Sequence, residues 1–251
     1  MSTEALEVEG LAAGYGRVQV VFDVSFTLNP GEMVAMVGRN GAGKTTSLVA
    51  ISGLRYGAGT GTVRIGALDV SNATPNEIVR AGVKLVPEGR RLFRDMSVLE
   101  NLRLGAFTRR RTAKNELSGD LDRVFDLFPA LARDRHRTVL SLSGGQQQMV
   151  AVGQALMTKP KFLLLDEPMS GLAPALIDSM YDTFLELIGQ GIGMLIVDQN
   201  IERVLETSSR FYVVDSGRVV LEGASEAGAL ENVTKIVLGS DRQREATLDQ
   251  V

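Results

Sequence analysis

A glycine-rich octapeptide, GRNGAGKT at residues 38–45, has the residue types and spacing needed to hold a polyphosphate. It fits the pattern G-x-x-x-x-G-K-[ST], in which glycines let successive backbone N–H groups point at phosphate oxygens. Lys44 supplies a positive charge for the β- and γ-phosphates, and the Thr45 hydroxyl is placed to hold Mg²⁺. The other interpretation is a glycine-rich turn without a ligand. We predict a nucleotide site that comprises Gly38, Arg39, Asn40, Gly41, Ala42, Gly43, Lys44, Thr45 and Thr46.

Two adjacent carboxylates, Asp166 and Glu167, follow four apolar residues in the run FLLLDEP at residues 162–168. Such a run predicts a buried strand whose carboxyl end faces the ligand site of an open α/β sheet. Asp166 is suited to hold Mg²⁺, and Glu167 is suited to polarise a water for attack on a γ-phosphate. Taken alone, the pair also fits an ordinary acidic boundary between a strand and a loop. Beside a phosphate loop the catalytic interpretation is favoured, because paired buried carboxylates need a compensating cation.

A third motif, LSGGQ at residues 142–146, predicts a second anion site at a helix start. Ser143 is a good N-cap, and Gly144 and Gly145 leave backbone N–H groups exposed at the positive end of the helix. One chain thus carries two anion sites for one γ-phosphate. The alternative is an ordinary capped helix without a ligand.

The three motifs, in this order and spacing, resemble those of the ATP-binding subunits of ABC transporters over nearly the whole chain. The resemblance implies ATP and Mg²⁺ as cofactors. It also implies that two such domains face each other head to tail, so that the second anion site acts on the ATP of its neighbour. The residues expected to act in trans are Ser143, Gly144, Gly145 and Gln146. In the family an aromatic residue at the position of Tyr15 stacks on adenine, although a lone Tyr at a strand end also fits simple packing.

Three positions depart from the usual family pattern. Glu88 stands where a Gln is usual, Gln199 where a His is usual, and Ala173 where an Asp is usual. Glu88 can only accept hydrogen bonds, so we assign it to the nucleotide and Mg²⁺ sites, where a cation offsets its charge. Gln199 can donate to a γ-phosphate but does not titrate near neutral pH. Together the departures resemble one subgroup, the ATPases of branched-chain amino acid importers.

These motifs assign a role to each candidate site residue. We expect Glu167, Lys44 and Gln199 to be catalytic, and Thr45, Asp166 and Glu88 to hold the metal ion. The resemblance implies transmembrane permease subunits and a second ATP-binding subunit as partners, with an extracytoplasmic substrate-binding protein acting indirectly. Whether the second ATP-binding subunit is another copy or a different chain stays open.

Composition excludes several other classes of function. The chain has 251 residues with no Cys, which removes disulfides, thiolate metal sites and a Cys nucleophile. Its single histidine, His136, stands in a charged stretch typical of a surface. Lys and Arg number 27 against 30 Asp and Glu, so bulk positive charge for nucleic acid is lacking and no nucleic-acid partner is expected. Short apolar runs and an acidic start predict neither a membrane span nor a secretory signal. We therefore expect a cytoplasmic chain, peripheral on the inner face of the membrane.

The elements that must position the motifs alternate along the chain. Continuous apolar runs at 33–37, 83–86, 162–165, 194–197 and 211–214 predict strands buried on both faces. Amphipathic stretches at 45–52, 113–128, 145–157 and 174–188 predict helices, and a capping box at Ser97 predicts a helix from Val98 to about Gly105. Residues 8–11 and 18–28 predict an antiparallel N-terminal sheet, interrupted at Gly14 and Gly16.

We predict an α/β fold of the P-loop NTPase (RecA-like) type, with a mostly parallel sheet, an N-terminal antiparallel β subdomain and an inserted helical lobe. The whole chain, 1–251, is expected to be one ATP-binding domain, with the lobe at about 90–157 and a polar tail at 240–251. The basic run 109–111 either contacts anionic lipid or a permease loop, or is simply hydrated.

Four functions fit these observations. The favoured one is an ATP-hydrolysing subunit that energises import of branched-chain amino acids. A urea or amide importer would use the same chemistry, because nothing in the chain touches the transported substrate. A non-transport ATPase of the same family is disfavoured because its usual coiled-coil insertion, zinc cysteines or paired domains are lacking. A regulatory nucleotide binder without turnover is disfavoured by the retention of Lys44, Asp166 and Glu167.

Overall fold

The computed structural model describes residues 4–54, 56–57, 59–109 and 114–237. Within these ranges the strands are β1 (Leu6–Gly16), β2 (Val18–Leu28), β3 (Met33–Val37), β4 (Tyr56–Gly57), β5 (Thr60–Ile65), β6 (Leu68–Asp69), β7 (Val83–Val86), β8 (Phe162–Asp166), β9 (Gly193–Val197), β10 (Arg210–Asp215) and β11 (Arg218–Ala224). The α-helices are α1 (Lys44–Ile51), α2 (Pro75–Ala81), α3 (Val98–Gly105), α4 (Lys114–Leu127), α5 (Pro129–Arg133), α6 (Gly144–Leu156), α7 (Pro174–Gly189) and α8 (Ile201–Thr207). Short 3₁₀ turns cover Ala106–Arg109 and Val139–Ser141, and residues 229–237 are also helical.

The described strands form one sheet in the order β6-β5-β1-β2-β11-β10-β3-β9-β8-β7, with β4 paired to β1. The half that contains β10, β3, β9, β8 and β7 is parallel, whereas β1 pairs antiparallel with β2 and β5. The predicted fold class is confirmed. Between β7 and β8 the described residues form helices and 3₁₀ turns, where the sequence predicts the helical lobe.

The central strands are buried on both faces, as their apolar runs predict. Every residue of β3, β8 and β9 is buried. Along β3, Ala35 and Val37 face the core under helices α3 to α7, while Val34 and Met36 face the core under α1 and the N-terminal strands. Because side chains alternate across a strand, apolar cores cover both faces of these central strands, and open sheets of this kind bind ligands at the carboxyl ends of their strands.

The N-terminal sheet departs from prediction at one point. Gly14 does not interrupt β1, which continues through it, whereas β1 does end at Gly16 as predicted. The pairing with β2 instead shifts register between Val8 and Gly14. Such irregularities absorb the glycines without ending the strand, because the chain bends while its neighbour continues the ladder.

A partly buried ionic network holds the entry to β3. Arg210 donates from Nε to Glu32 Oε1 at 2.6 Å, and the Asn29 amide N–H donates to Glu32 Oε2 at 2.9 Å. Burial acts to raise the pKa of Glu32, but the hydrogen bonds from Arg210 and Asn29 outweigh it and hold that pKa below its usual value. The network ties the start of β3 to the start of β10, and β3 is the strand that leads into the phosphate loop.

Helix starts follow their predicted caps. Ser97 and Glu100 form a reciprocal capping box, and α3 runs from Val98 to Gly105 as predicted. Among the described residues, no helix combines the length and apolar character required to cross a bilayer. The polar tail at 240–251 lies outside the described residues.

Candidate nucleotide site

A cavity of about 310 Å³ opens at the carboxyl edge of the central strands. It lies where β3 leads into the phosphate loop and where β8 ends at the two predicted carboxylates. Most of its wall consists of residues that the motifs single out. The lining residues are Val20, Asn40, Gly41, Gly43, Lys44, Thr45, Thr46, Glu88, Glu167 and Gln199. Of these Val20 is new, and one apolar residue in an alternating strand carries no sequence signal of a site.

The phosphate loop is shaped by close packing against β10. Gly38 has φ of +154°, and a Cβ built on it would lie 2.1 Å from the Val214 carbonyl oxygen, so no larger residue fits. Lys44 donates from Nζ to the carbonyl oxygens of Gly38 at 2.7 Å and Arg39 at 2.9 Å. Ala42 is buried within the loop and lies outside the cavity lining. Asn40, Gly41, Gly43 and Lys44 of this loop line the cavity, so backbone and ammonium groups of the loop border the space for a ligand.

Burial opposes the positive charge of Lys44. Only 6% of the residue is exposed, and desolvation lowers the pKa of the ammonium group, while the charges of Glu167 and Asp166 act to raise it. The ammonium group therefore lies in a poorly hydrated site, where its attraction for a phosphate oxygen is stronger than in water.

Thr45 and Asp166 meet as the sequence predicts. The Thr45 hydroxyl donates to Asp166 Oδ1 at 3.0 Å. Burial raises the pKa of Asp166 despite this hydrogen bond, and the charges of Glu167 and Glu88 raise it further. A cation at this point would relieve the unfavourable charge on Asp166.

The donor set fits Mg²⁺ held jointly with phosphates. Among the residues that the structure describes, no three His, Asp or Glu side chains cluster as a complete metal cage. Mg²⁺ commonly takes one or two protein oxygens and completes its shell with water and substrate phosphates. A hydroxyl and a carboxylate beside the phosphate loop match that requirement.

Glu167 is held by its backbone and by Gln199. Its φ of +47° is left-handed, a conformation that costs energy for a residue with a side chain, and its N–H donates to the Val197 carbonyl at 2.8 Å. Gln199 donates from Nε2 to Glu167 Oε2 at 2.8 Å and Oε1 at 3.0 Å. The amide that the sequence assigns to a γ-phosphate is here aimed at the predicted base.

Two of the predicted contacts lie at the margin of the cavity. The Thr46 hydroxyl donates to Tyr15 Oη at 3.4 Å, and Tyr15 is 44% exposed beside the loop without lining the cavity. Glu88 lines the cavity and is exposed, and its charge reaches Asp166. These positions do not decide whether Tyr15 stacks on adenine or only packs, or whether Glu88 contacts the nucleotide and Mg²⁺.

The LSGGQ segment lies elsewhere in the chain. Ser143 is the N-cap of α6, with Oγ accepting from the Gln146 N–H at 3.3 Å. The Gln146 side chain accepts from the Ser143 N–H and donates to Asp134 Oδ2 at 2.7 Å, so it holds the helix start. None of Ser143, Gly144, Gly145 or Gln146 lines the phosphate cavity.

The charged stretches have structural partners. Arg109 donates from Nη1 to Asp120 Oδ2 at 2.7 Å and to the Met157 carbonyl at 3.0 Å, which ties the turn after α3 to α4 and to the end of α6. Arg110 and Arg111 lie outside the described residues. His136 is exposed, as its charged surroundings predict.

Comparison with known proteins identifies the class. The sequence profile described as ABC transporter matches residues 21–170. The chain therefore belongs to the ABC transporter family and is an ATP-binding domain of that family.

Individual relatives agree with this assignment. The chain is 37% identical to the high-affinity branched-chain amino acid transport ATP-binding protein BraG of Pseudomonas aeruginosa, covering 88% of this chain and 94% of BraG. It is 33% identical to the lipopolysaccharide export system ATP-binding protein LptB of Escherichia coli K12, covering 94% and 98%. The ADP conformation of an ATP-binding cassette from an ABC transporter superposes with a TM-score of 0.82 at 27% identity, covering 94% and 97%.

Proposed function

We propose that this chain hydrolyses ATP to ADP and phosphate and thereby energises a membrane importer of branched-chain amino acids. One observation carries the ATPase proposal: Lys44, Thr45, Glu167 and Gln199 line the same cavity, and Asp166 accepts a hydrogen bond from Thr45. A phosphate-binding loop and a general base face the same space there.

The reaction follows from the placement of these groups. The loop N–H groups and the Lys44 ammonium bind the phosphate oxygens and stabilise negative charge as the bond to the leaving ADP breaks. Glu167 accepts a proton from the attacking water, whose oxygen forms the new bond to the γ-phosphorus. Thr45 and Asp166, with Glu88 nearby, would hold Mg²⁺, which would supply positive charge to the phosphate oxygens.

We infer that the site is completed by a second ATP-binding subunit. Ser143 caps α6 and does not line the phosphate cavity, which favours a role for this second anion site at the nucleotide of another chain. Head-to-tail pairing would bring the start of α6 to the ATP of the neighbour. ATP binding then closes the pair and hydrolysis reopens it, which converts the chemistry into movement.

We further propose that permease subunits dock in a groove between the core and the helical lobe, taken as residues 90–157. The groove encloses about 480 Å³, and its exposed apolar side chains include Leu54, Phe93 and Phe107. An apolar groove of this kind suits a helical segment of a membrane partner. A chain docked in this way would lie on the cytoplasmic face of the membrane, while the substrate-binding protein acts from the other side.

Replacement of Phe93 tests this surface. Phe93→Asp should reduce the amount of permease that copurifies from membranes, because it places a charge in the apolar contact. Leu68→Asp is the matched control, since Leu68 is similarly exposed, at 53% against 56%, on the distant strand β6. Equal loss of permease in both variants, or no loss in either, would place the docking surface elsewhere.

Branched-chain amino acids are proposed as the transported substrate because of BraG and of the VPEGRR, GLAP and Gln-Asn segments that resemble its subgroup. The test is uptake of labelled leucine and of labelled urea into vesicles that contain the complex copurified with this chain, with ATP on the nucleotide side. We expect leucine uptake that Glu167→Gln lowers at least twofold, in parallel with phosphate release. Uptake of urea alone would overturn the proposed substrate and leave the ATPase proposal intact. Uptake that does not depend on ATP would overturn both the proposed substrate and the proposed role of ATP hydrolysis.

A further inference from the structure

The turn between β9 and α8 carries Gln199, the residue whose amide contacts the proposed base. β9 ends at Val197 and α8 begins at Ile201, so residues 198–200 belong to neither element. Gln199 is exposed, and its Nε2 reaches both carboxylate oxygens of Glu167 from this turn. The position of the amide therefore depends on what holds the backbone of the turn.

Asp198 holds this turn from within. Its Oδ1 accepts from the Asn200 N–H at 2.9 Å, across the backbone of Gln199. A carboxylate that accepts from the N–H two residues further on forms an Asx turn, which fixes the residue between them. The Gln199 carbonyl also accepts from the Ile201 N–H at 3.1 Å. The backbone of Gln199 is thus bridged by one side-chain bond and one main-chain bond.

The burial of Asp198 costs stability. The residue is only 8% exposed, and among the residues that the structure describes its Oδ2 has no hydrogen-bond partner. Burial raises the pKa of Asp198, hydrogen bonds from the Asn200 and Gln199 N–H groups act to lower it, and the charge of Glu167 acts to raise it. A buried carboxylate with one unsatisfied oxygen is unfavourable. The contribution of Asp198 therefore lies in the shape of the turn.

The Gln199 side chain has room to leave Glu167. It lines the phosphate cavity and also a second cavity of about 260 Å³, whose wall includes Glu167, Asp198 and Tyr181. A long amide side chain beside two cavities keeps one position only if the gain exceeds the rotamer freedom that it loses. Because hydrogen bonds weaken steeply with distance and angle, a displaced turn would forfeit both bonds to Glu167.

We propose that Asp198 is a positioning residue for ATP hydrolysis, which aims the Gln199 amide at Glu167 through the turn that its Oδ1 closes. The inference rests on the proposed function, because it assumes that Glu167 is the base. The feature required of Asp198 is the acceptor at Oδ1. An amide of the same shape should therefore serve in its place.

Steady-state phosphate release by the purified transporter complex tests the proposal. Asp198→Ala should lower kcat as far as Gln199→Ala does, to within twofold, with the KM for ATP within twofold of the wild type. Asp198→Asn keeps the acceptor and should restore kcat to within threefold of the wild type. Adding Asp198→Ala to Gln199→Ala should lower kcat less than twofold further, because both changes remove the same contact.

Asp69 supplies the matched control. Its Oδ1 accepts from the Ser71 N–H at 2.9 Å, which is the same contact in β6, at the far edge of the sheet. Asp69→Ala should leave kcat unchanged. Melting curves identify any variant that fails to fold. If Asp198→Ala is one, Asp198→Ser replaces it and should give a kcat between those of the wild type and Gln199→Ala, because a hydroxyl makes such turns more weakly.

Several outcomes would overturn the proposal. A wild-type kcat in Asp198→Ala or in Gln199→Ala would do so, and so would losses that multiply in the double variant. A kcat in Asp198→Asn as low as in Asp198→Ala would show that the charge is required instead of the turn. An equal loss in Asp69→Ala would show a general effect on the fold. A wild-type complex that releases no phosphate from ATP would instead overturn the proposed function.

Discussion

Replacement of Gln199 by Ala separates two roles for this amide. If Gln199 contacts the γ-phosphate, as sequence alone suggests, its removal weakens ATP binding. If it orients Glu167, as its hydrogen bonds at 2.8 and 3.0 Å indicate, its removal leaves binding intact and slows the chemical step. The structure favours the second role.

The size of the effect follows from the geometry. Hydrogen bonds to a charged group contribute about 1.5–3 kcal/mol, and water partly replaces them here because Gln199 is exposed. A net loss of about 1–2 kcal/mol of positioning free energy predicts that kcat falls about 5- to 30-fold. We expect the KM for ATP to remain within twofold.

Steady-state phosphate release by the purified transporter complex is the appropriate assay. Asn200→Ala is the matched control, because the Asn200 side chain caps α8, accepting from the Arg203 N–H at 3.1 Å, and does not line the phosphate cavity. That variant should lose about 1 kcal/mol of stability with kcat unchanged. A tenfold rise in KM for Gln199→Ala at unchanged kcat would refute the positioning role, and so would unchanged values of both parameters.

Further predictions concern stability. Asp166→Asn should raise the melting temperature of the nucleotide-free chain by a few degrees, because it removes the charge of a buried carboxyl group whose pKa is raised by burial. The same variant should abolish Mg²⁺-dependent turnover. A lower melting temperature would contradict this prediction. Glu32→Gln should cost about 1–3 kcal/mol in urea unfolding at pH 7. The folded-state pKa of Glu32 is lowered, so the ionised Glu32 stabilises the fold above its ordinary pKa of 4.5, and this stabilisation is lost as the pH falls through the folded-state pKa. The difference in unfolding free energy between the wild type and Glu32→Gln should therefore shrink at that low pH. A free-energy difference that does not change with pH would count against the network. Gly38→Ala should cost about 2–4 kcal/mol, because its Cβ would overlap the Val214 carbonyl, and a chain that unfolds at the same urea concentration would show that the loop adapts.

Local sequence patterns predicted most of the framework. Helix α3 begins at Val98 because the Ser97 capping box satisfies its first N–H groups locally. The strand that leads into the phosphate loop is equally local in origin, since a short apolar run such as residues 33–37 is typical of a strand buried on both faces. These features need no knowledge of distant partners.

The contacts that sequence could not predict are long-range. Gln199 and Glu167 are separated by 32 residues and Arg90 and Gln148 by 58, and each pair meets only because the parallel sheet brings several loops to one edge. The expected strand break at Gly14 was wrong for a similar reason, since pairing with β2 decides where β1 ends. Local propensity is overridden where neighbouring strands supply the hydrogen bonds.

The rate of phosphate release after replacement of Glu167 by Gln tests the central proposal most directly. The amide keeps the shape of the side chain and its place beside Gln199 but cannot accept a proton from water. In the complex purified from membranes with its permease and second ATP-binding subunit, Glu167→Gln should retain ATP binding. Phosphate release should fall at least twofold if the second subunit is a different chain with its own active site, and to background if it is another copy. Phosphate release equal to that of the wild type would show that Glu167 is not the base and would contradict the proposed mechanism.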